Sequence, residues 1–208
     1  LSRWYFKRDV DPEYETKYKT VVALFKKLLN LLDIILDKKT DKVLYTEKAP
    51  NGKGYPPLPS EQLASGYRSI IYMVGDMILK LFDTQPGVWD TKDLKGIVII
   101  DELDLHFHPK WQKRLPGLLS KIFPRIQFIA STHSPIPVLG APGHSVFLKV
   151  NRTGSEGITV ERLESVEKQL PDLSPNTLLS SPLFGFRDIC TATYLPFFSR
   201  FDLNYLFY

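Results

Sequence analysis

At 208 residues the chain fits one domain or one lobe of something larger, and 43% hydrophobic with 24% charged residues is the balance of a globular protein with a sizeable core. The net charge of +4 is compatible with an anionic partner such as DNA or RNA, but no Lys- or Arg-rich run marks a nucleic-acid arm. The single cysteine, Cys190, excludes an internal disulfide framework, and no run approaches the roughly 18 apolar residues of a membrane span. Cys190 reads as a small core residue in a reducing compartment, which places the protein in the cytoplasm. The charged opening LSRWYFKRDV has no apolar segment of a secretory signal. A start on Leu1 rather than Met is what an internal fragment, a processed product or a piece of a longer chain presents.

Residues 13–39 read as one long helix. Val21, Leu24, Phe25, Leu28, Leu31, Leu32, Ile35 and Leu36 recur at three- and four-residue steps, with Lys26, Lys27, Asp33 and Asp37 between them. KVLYT (42–46) reads as a short strand. APNGKGYPPLP is a turn region: its NGKG lacks the GxxxxGK[ST] spacing of a phosphate loop. A helix is predicted to start near Ser65-Gly66 and end before the turn at Thr84–Gly87, with Ile70, Ile71, Val74, Met77, Ile78 and Leu81 on its apolar side.

GIVII (96–100) is a continuous apolar run, the pattern of a strand buried on both faces in a parallel sheet. KWQKRLPGLLSKI (110–122) reads as a helix in which Pro116 implies a kink or a late start. IQFIAS (126–131) reads as a second buried strand. Strand, helix and strand with short links predict a right-handed βαβ unit. SVFLKVN and ITVERLE, joined by RTGSEG, predict a β-hairpin. Residues 165–188 read as loop and helix. The aromatic tail TATYLPFFSRFDLNYLFY reads as a buried or partner-covering segment.

Three features carry chemistry. Asp101 and Glu102 end the first central strand. A hard magnesium ion takes carboxylate oxygen and keeps most of its waters, and a neighbouring carboxylate can orient or deprotonate an attacking water. An acid pair also suits the N-terminal end of a helix dipole. His133 follows the second strand and can donate to a phosphate or serve as a loop cap. In LASGYRS (63–69) a Ser-Gly helix start exposes N–H groups to an anion, and is also an ordinary cap. His106 and His108 have a spacing that zinc can use, but no cysteine and no third histidine lies near in sequence.

The order and separation of LASGYRS, IIDELDLHFHPKWQ (99–112) and IASTHSP (129–135) resemble the C-terminal half of an ABC-type ATPase head. Such heads occur in SMC, RecF-like and overcoming-lysogenisation-type ATPases. The resemblance is nearest to the bacterial defence-associated branch that includes the ATPases of Septu and retron systems, and SPLFGF (181–186) adds to it. It covers roughly residues 58–188. It implies an α/β fold: a partial P-loop NTPase fold with parallel central strands flanked by helices, plus a β-hairpin. The implied organisation is a helical and linker region over 1–57, the head half over 58–164 and a C-terminal extension over 165–208.

The resemblance also implies roles. Asp101 is the Walker B acid holding Mg2+, Glu102 the catalytic base and His133 the switch histidine that senses the γ-phosphate. Ala64, Ser65, Gly66 and Tyr67 belong to the signature motif that caps ATP bound by an opposite subunit, and Leu105 to His108 fall in the D-loop. ATP and Mg2+ are the implied cofactors. A homodimer or higher even-numbered oligomer, a nuclease partner and possible nucleic-acid contact are the implied partners, with no membrane. The pattern departs at Ala64, where the family has serine, and the Walker A loop and glutamine loop are not in this sequence. The alternative is therefore an incomplete scaffold or regulatory module. Direct nucleic-acid processing ranks last, because no nuclease metal cluster is visible.

Overall fold

A computed structural model of the chain describes residues 12–37, 39–154, 157–179 and 184. The chain divides into two compact units between Thr132 and His133.

The first unit opens with α1 (Pro12–Leu28) and β1 (Leu31–Asp37). The single helix predicted over 13–39 is thus two elements. Asn30, at φ +53°, reverses the chain after Leu28, a left-handed conformation that asparagine tolerates better than most residues. β1 then pairs antiparallel with β2 (Lys42–Glu47), and a bulge between Leu31 and Asp33 shifts the register. Strand residues normally alternate faces, but the bulge puts Leu31 and Ile34, three apart, on the buried side. That spacing is what mimics a helix in the sequence. β2 also pairs with the short β3 (Leu58–Pro59). The intervening NGKG is a turn closed on itself: Gly52 N–H donates to Ala49 O at 2.9 Å, Ala49 N–H to Lys53 O at 2.8 Å, and Asn51 Oδ1 accepts from Lys53 N–H at 3.0 Å.

α2 (Ser65–Thr84) starts and ends where the apolar period predicts, and buries Ile70, Ile71, Val74, Met77, Ile78 and Phe82. β4 (Gly96–Ile100), α3 (Pro109–Ile122) and β5 (Ile126–Ala130) form the predicted βαβ unit, with β4 and β5 parallel and in register from Gly96↔Ile126 to Ile100↔Ala130. α3 runs unbroken through Pro116 from Pro109, so the late start is excluded. One core joins these elements, centred on Phe25, Ile70, Val74, Leu115 and Phe123.

The strands are not buried on both faces. Val98 and Phe128 pack on the core, but Ile97 and Ile99 are 63% and 76% exposed and Ile129 is 49% exposed. Among the described residues β4 and β5 form a two-stranded sheet, and helices cover only one side of it.

In the second unit, α4 (Pro135–Val138) precedes an antiparallel hairpin of β6 (Leu148–Thr153) and β7 (Gly157–Arg162), as predicted. α5 (Glu164–Gln169) and α6 (Pro175–Leu179) follow, and Val138, Val166, Leu170 and Leu178 make a small core of their own, joined by Phe184. Arg162 reaches Glu167 through two hydrogen bonds of 3.1 and 2.8 Å, which hold the Glu167 carboxyl below its ordinary value. Cys190, the tail from 191 onward and SPLFGF other than Phe184 lie outside the described residues. No described helix is long and apolar enough to cross a membrane.

Candidate functional site

Where β4 ends, the chain turns sharply. Asp101 and Glu102 leave the strand into an exposed loop, and Glu102 takes a left-handed φ of +52°. Such a backbone costs a residue with a side chain about 1 kcal/mol or more, so contacts elsewhere must hold it. Ser131, the first residue after β5, supplies them. Its hydroxyl donates to Asp101 Oδ1 and accepts from Glu102 N–H at 2.8 Å. Its carbonyl accepts from Leu103 N–H at 2.9 Å, and its N–H donates to Ile100 O at 3.0 Å. The parallel register makes this possible, because Ile100 and Ala130 are partners and the two strands end side by side. One residue on, the Thr132 hydroxyl donates to Asp104 Oδ1.

Asp101 therefore presents a carboxylate in a fixed orientation, open to solvent. A hydrated magnesium ion, which is commonly held by one or two carboxylates plus waters and phosphate oxygens, fits such a donor set. A closed protein cage does not: among the described residues no group of three or more His, Cys, Asp or Glu side chains is placed to hold a metal. The Glu102 carboxylate is exposed and makes no hydrogen bond or ion pair among the described residues.

The histidine pair resolves into two structural roles. His108 is the N-cap of α3, and its Nδ1 accepts from Lys110 N–H at 3.2 Å. His106 has a left-handed φ of +63°, and its carbonyl accepts from the Ser69 hydroxyl at 3.4 Å. The loop between the acids and α3 is braced by Gln112, whose Nε2 donates to Asp104 O and Phe107 O, each at 3.0 Å.

That loop, through His106, and the first turn of α3, through Trp111, meet the start of α2. Ala64 is the N-cap residue and no side chain caps this end; Ser65, Gly66 and Tyr67 form the first turn. A Cβ on Gly66 would lie 3.0 Å from Trp111 Cδ1, so glycine lets the helix start approach the indole. Tyr67 meets the same ring edge-on at 6.3 Å, and the Arg114 guanidinium sits 4.8 Å above it. A first turn with free N–H groups and a positive dipole end is able to receive an anion.

The sequence-predicted residues thus fall in three places. Asp101 and Glu102 share the Ser131 anchor. Ala64 to Tyr67 pack through Trp111 and Ser69 onto the loop that follows the acids. His133 opens the second unit, next to Ser134, whose hydroxyl accepts from Ile136 N–H at 3.3 Å at the start of α4. Sequence reasoning missed Ser131, Gln112 and Trp111 as positioning residues. All three stand inside the quoted segments IIDELDLHFHPKWQ and IASTHSP, but a hydroxyl or amide that holds backbone has no spacing signature.

A family model described as "AAA domain, putative AbiEii toxin, Type IV TA system" matches residues 5–136. The chain is 33% identical over 147 residues to the Septu protein PtuA of Bacillus mycoides (strain KBAB4), a match covering 71% of this chain and 18% of that protein. It is 45% identical over 74 residues to the protein named "Retron Vc95 probable ATPase" of Vibrio cholerae serotype O1 biovar El Tor, covering 36% of this chain and 14% of that one. The chain therefore spans less than a fifth of either relative. Among solved structures, one from a study of ATP-driven dimerization and DNA-stimulated activation of SMC ATPases superposes with a TM-score of 0.53 at 18% identity, covering 81% of this chain and 94% of that one. The fold is that of an SMC-type ATPase head.

Proposed function

The chain belongs to this AAA-domain ATPase family, and on that premise we propose that it is the signature-bearing half of an ABC-type ATPase head, which binds and hydrolyses ATP with Mg2+ and controls a partner effector or nuclease in prokaryotic defence. The observation that carries the reading is the double use of one segment, the loop after β4 with the first turn of α3. Residues 101–111 begin with the anchored acid pair and end in the indole that seats the start of α2.

In this reading Asp101, oriented by Ser131, holds the water shell of Mg2+. When bound, the ion neutralises charge on the phosphate oxygens. Glu102 orients the attacking water and takes its proton. In the signature turn Ala64 to Tyr67, Ser65 and Gly66 offer N–H groups to the γ-phosphate of ATP held by a second protomer, while the Tyr67 N–H closes the turn onto Ala64 O, so the active form is a dimer or higher even-numbered assembly. His133 is the switch histidine that senses the γ-phosphate. The phosphate loop comes from polypeptide outside these 208 residues, and the uncovered Ile97, Ile99 and Ile129 offer that polypeptide an apolar sheet face. The organisation into 1–57, 58–164 and 165–208 is part of the same proposal, as is a cytoplasmic location. The Septu and retron relatives support the defence setting.

The test is Glu102→Gln in the full-length protein that carries these residues. ATP binding is expected to persist while hydrolysis falls about 10²- to 10⁴-fold, the usual worth of a general base. Hydrolysis at the wild-type rate would remove Glu102 from the mechanism. Ala64, which brings no hydroxyl to the signature turn, favours a second reading as a non-catalytic scaffold. A rise of the full-length protein's melting temperature with ATP excludes that reading.

A further inference from the structure

Away from the acids, a cavity of about 480 Å³ opens between α1, β2, the single turn Ser60–Gln62 and α2. Its volume is that of a small-ligand site. The floor is apolar, with Phe25, Ile71 and Ile78. The mouth carries Asp41, Glu61 and Asp76 against Lys42. Asp76 already pairs with Lys80 at 2.7 Å, so Asp41 and Glu61 outnumber Lys42 and the mouth keeps negative charge.

Two further observations point to an occupant. Tyr45 lines the cavity, is only 3% exposed, and its hydroxyl has no hydrogen-bond partner among the described residues. No fully enclosed side-chain polar atom in the described residues lacks a partner, so this hydroxyl must open onto space, and the space it lines is the cavity. A hydroxyl that faces open space and makes no bond within the protein is free to bond a ligand there. The second is Gly75, in the middle of α2. A Cβ there would lie 3.7 Å from Phe25 Cζ, an ordinary contact, and alanine is the better helix former. Packing does not require this glycine, and without a side chain it leaves this part of the cavity wall open.

We propose that this cavity binds an organic cation on a short apolar stem, an alkylammonium or alkylguanidinium, with the stem on Phe25 and Ile71 and the charged head facing the Tyr45 hydroxyl and the Glu61 carboxylate. The mouth repels anions, so the site is not a second phosphate subsite. Burial, with Tyr72 and Glu61 adding to it, pushes the Tyr45 phenol up to about 12, so its oxygen is a neutral acceptor for the ligand N–H. The head group has two sources: a free small cation, or an Arg or Lys side chain of a partner.

The experiment is calorimetric titration of the full-length protein that carries these residues with n-butylguanidinium, with neutral n-butylurea as the isosteric control and acetyl-Gly-Arg-Gly-amide as the peptide arm. Saturable binding of the cation and none of the urea is expected. Tyr45→Phe and Glu61→Gln should each weaken it about fivefold, the equivalent of one hydrogen bond, and both keep the size of the side chain. Gly75→Leu, which fills the cavity, should abolish it. Tighter binding of the peptide than of n-butylguanidinium assigns the head group to a partner side chain, and the reverse assigns it to a free cation. Absence of saturable binding by both cations, equal binding of the urea, or indifference to Glu61→Gln overturns the proposal.

Discussion

The Ser131 hydroxyl donates to the Asp101 carboxylate while it accepts the Glu102 N–H at 2.8 Å. One side chain from the end of β5 thereby fixes the direction of one acid and the backbone of the next. Neither acid could be held so by its own strand, because both lie beyond the last ladder pair, Ile100↔Ala130.

Ser131→Ala removes both bonds. The groups are solvent-exposed and water replaces part of the loss, so the expected destabilisation is about 1 kcal/mol. Urea unfolding of the chain measures it. In the full-length protein ATP hydrolysis should fall as well. An unchanged unfolding midpoint would show that the anchor does not hold the loop.

Glu102 keeps a left-handed backbone at φ +52°. Glycine adopts this freely and alanine does not. Glu102→Gly should therefore be more stable than Glu102→Ala by about 1 kcal/mol. Under the proposed mechanism both variants lose hydrolysis to the same extent. Equal thermal midpoints for the two would contradict the strain.

Ala64 stands at the N-cap of α2 without a side chain that can accept from the first turn. Ala64→Ser supplies one, and the helix should gain about 0.5–1 kcal/mol. Differential scanning calorimetry reads the gain as a higher melting temperature. The same substitution restores the family's serine, so tighter ATP-dependent dimerisation of the full-length protein is the second readout. A melting temperature equal to or below wild type would rule out the capping account.

Tyr45 supplies a pH dependence. Its folded phenol is raised from 10.0 to about 12, chiefly by burial. Below pH 10 the phenol is protonated in both states and the contribution is fully present. Between pH 10 and 12 the unfolded chain loses the proton first, so stability declines as pH rises through this window. Urea midpoints at pH 9 and at about pH 11 should differ more for wild type than for Tyr45→Phe. Parallel pH profiles for the two would place the phenol in water instead.

The parts legible in the sequence were those whose signal is local. GIVII and IQFIA read as parallel strands because apolar runs bounded by turns have few other solutions, and Ser65-Gly66 read as a helix start because the apolar period begins there. β1 was misread because its bulge puts Leu31 and Ile34 on one side at a helical interval. The burial of β4 and β5 was over-read because the same apolar run is written whether or not a second layer is present on Ile97 and Ile99. The cavity left no trace, since Tyr45 and Gly75 are ordinary residues of a strand and a helix until α1, β2 and α2 meet.

By itself, then, the amino-acid sequence determined the α/β class, the acid pair at a strand end and the family, all of which depend on residue types at fixed short spacings. Tertiary structure alone decided that Ser131 holds both acids, that Gly66 lies against Trp111 and that Tyr45 faces an open cavity. Each of these joins residues from different elements, and such contacts follow from strand register and helix packing, which no local spacing encodes.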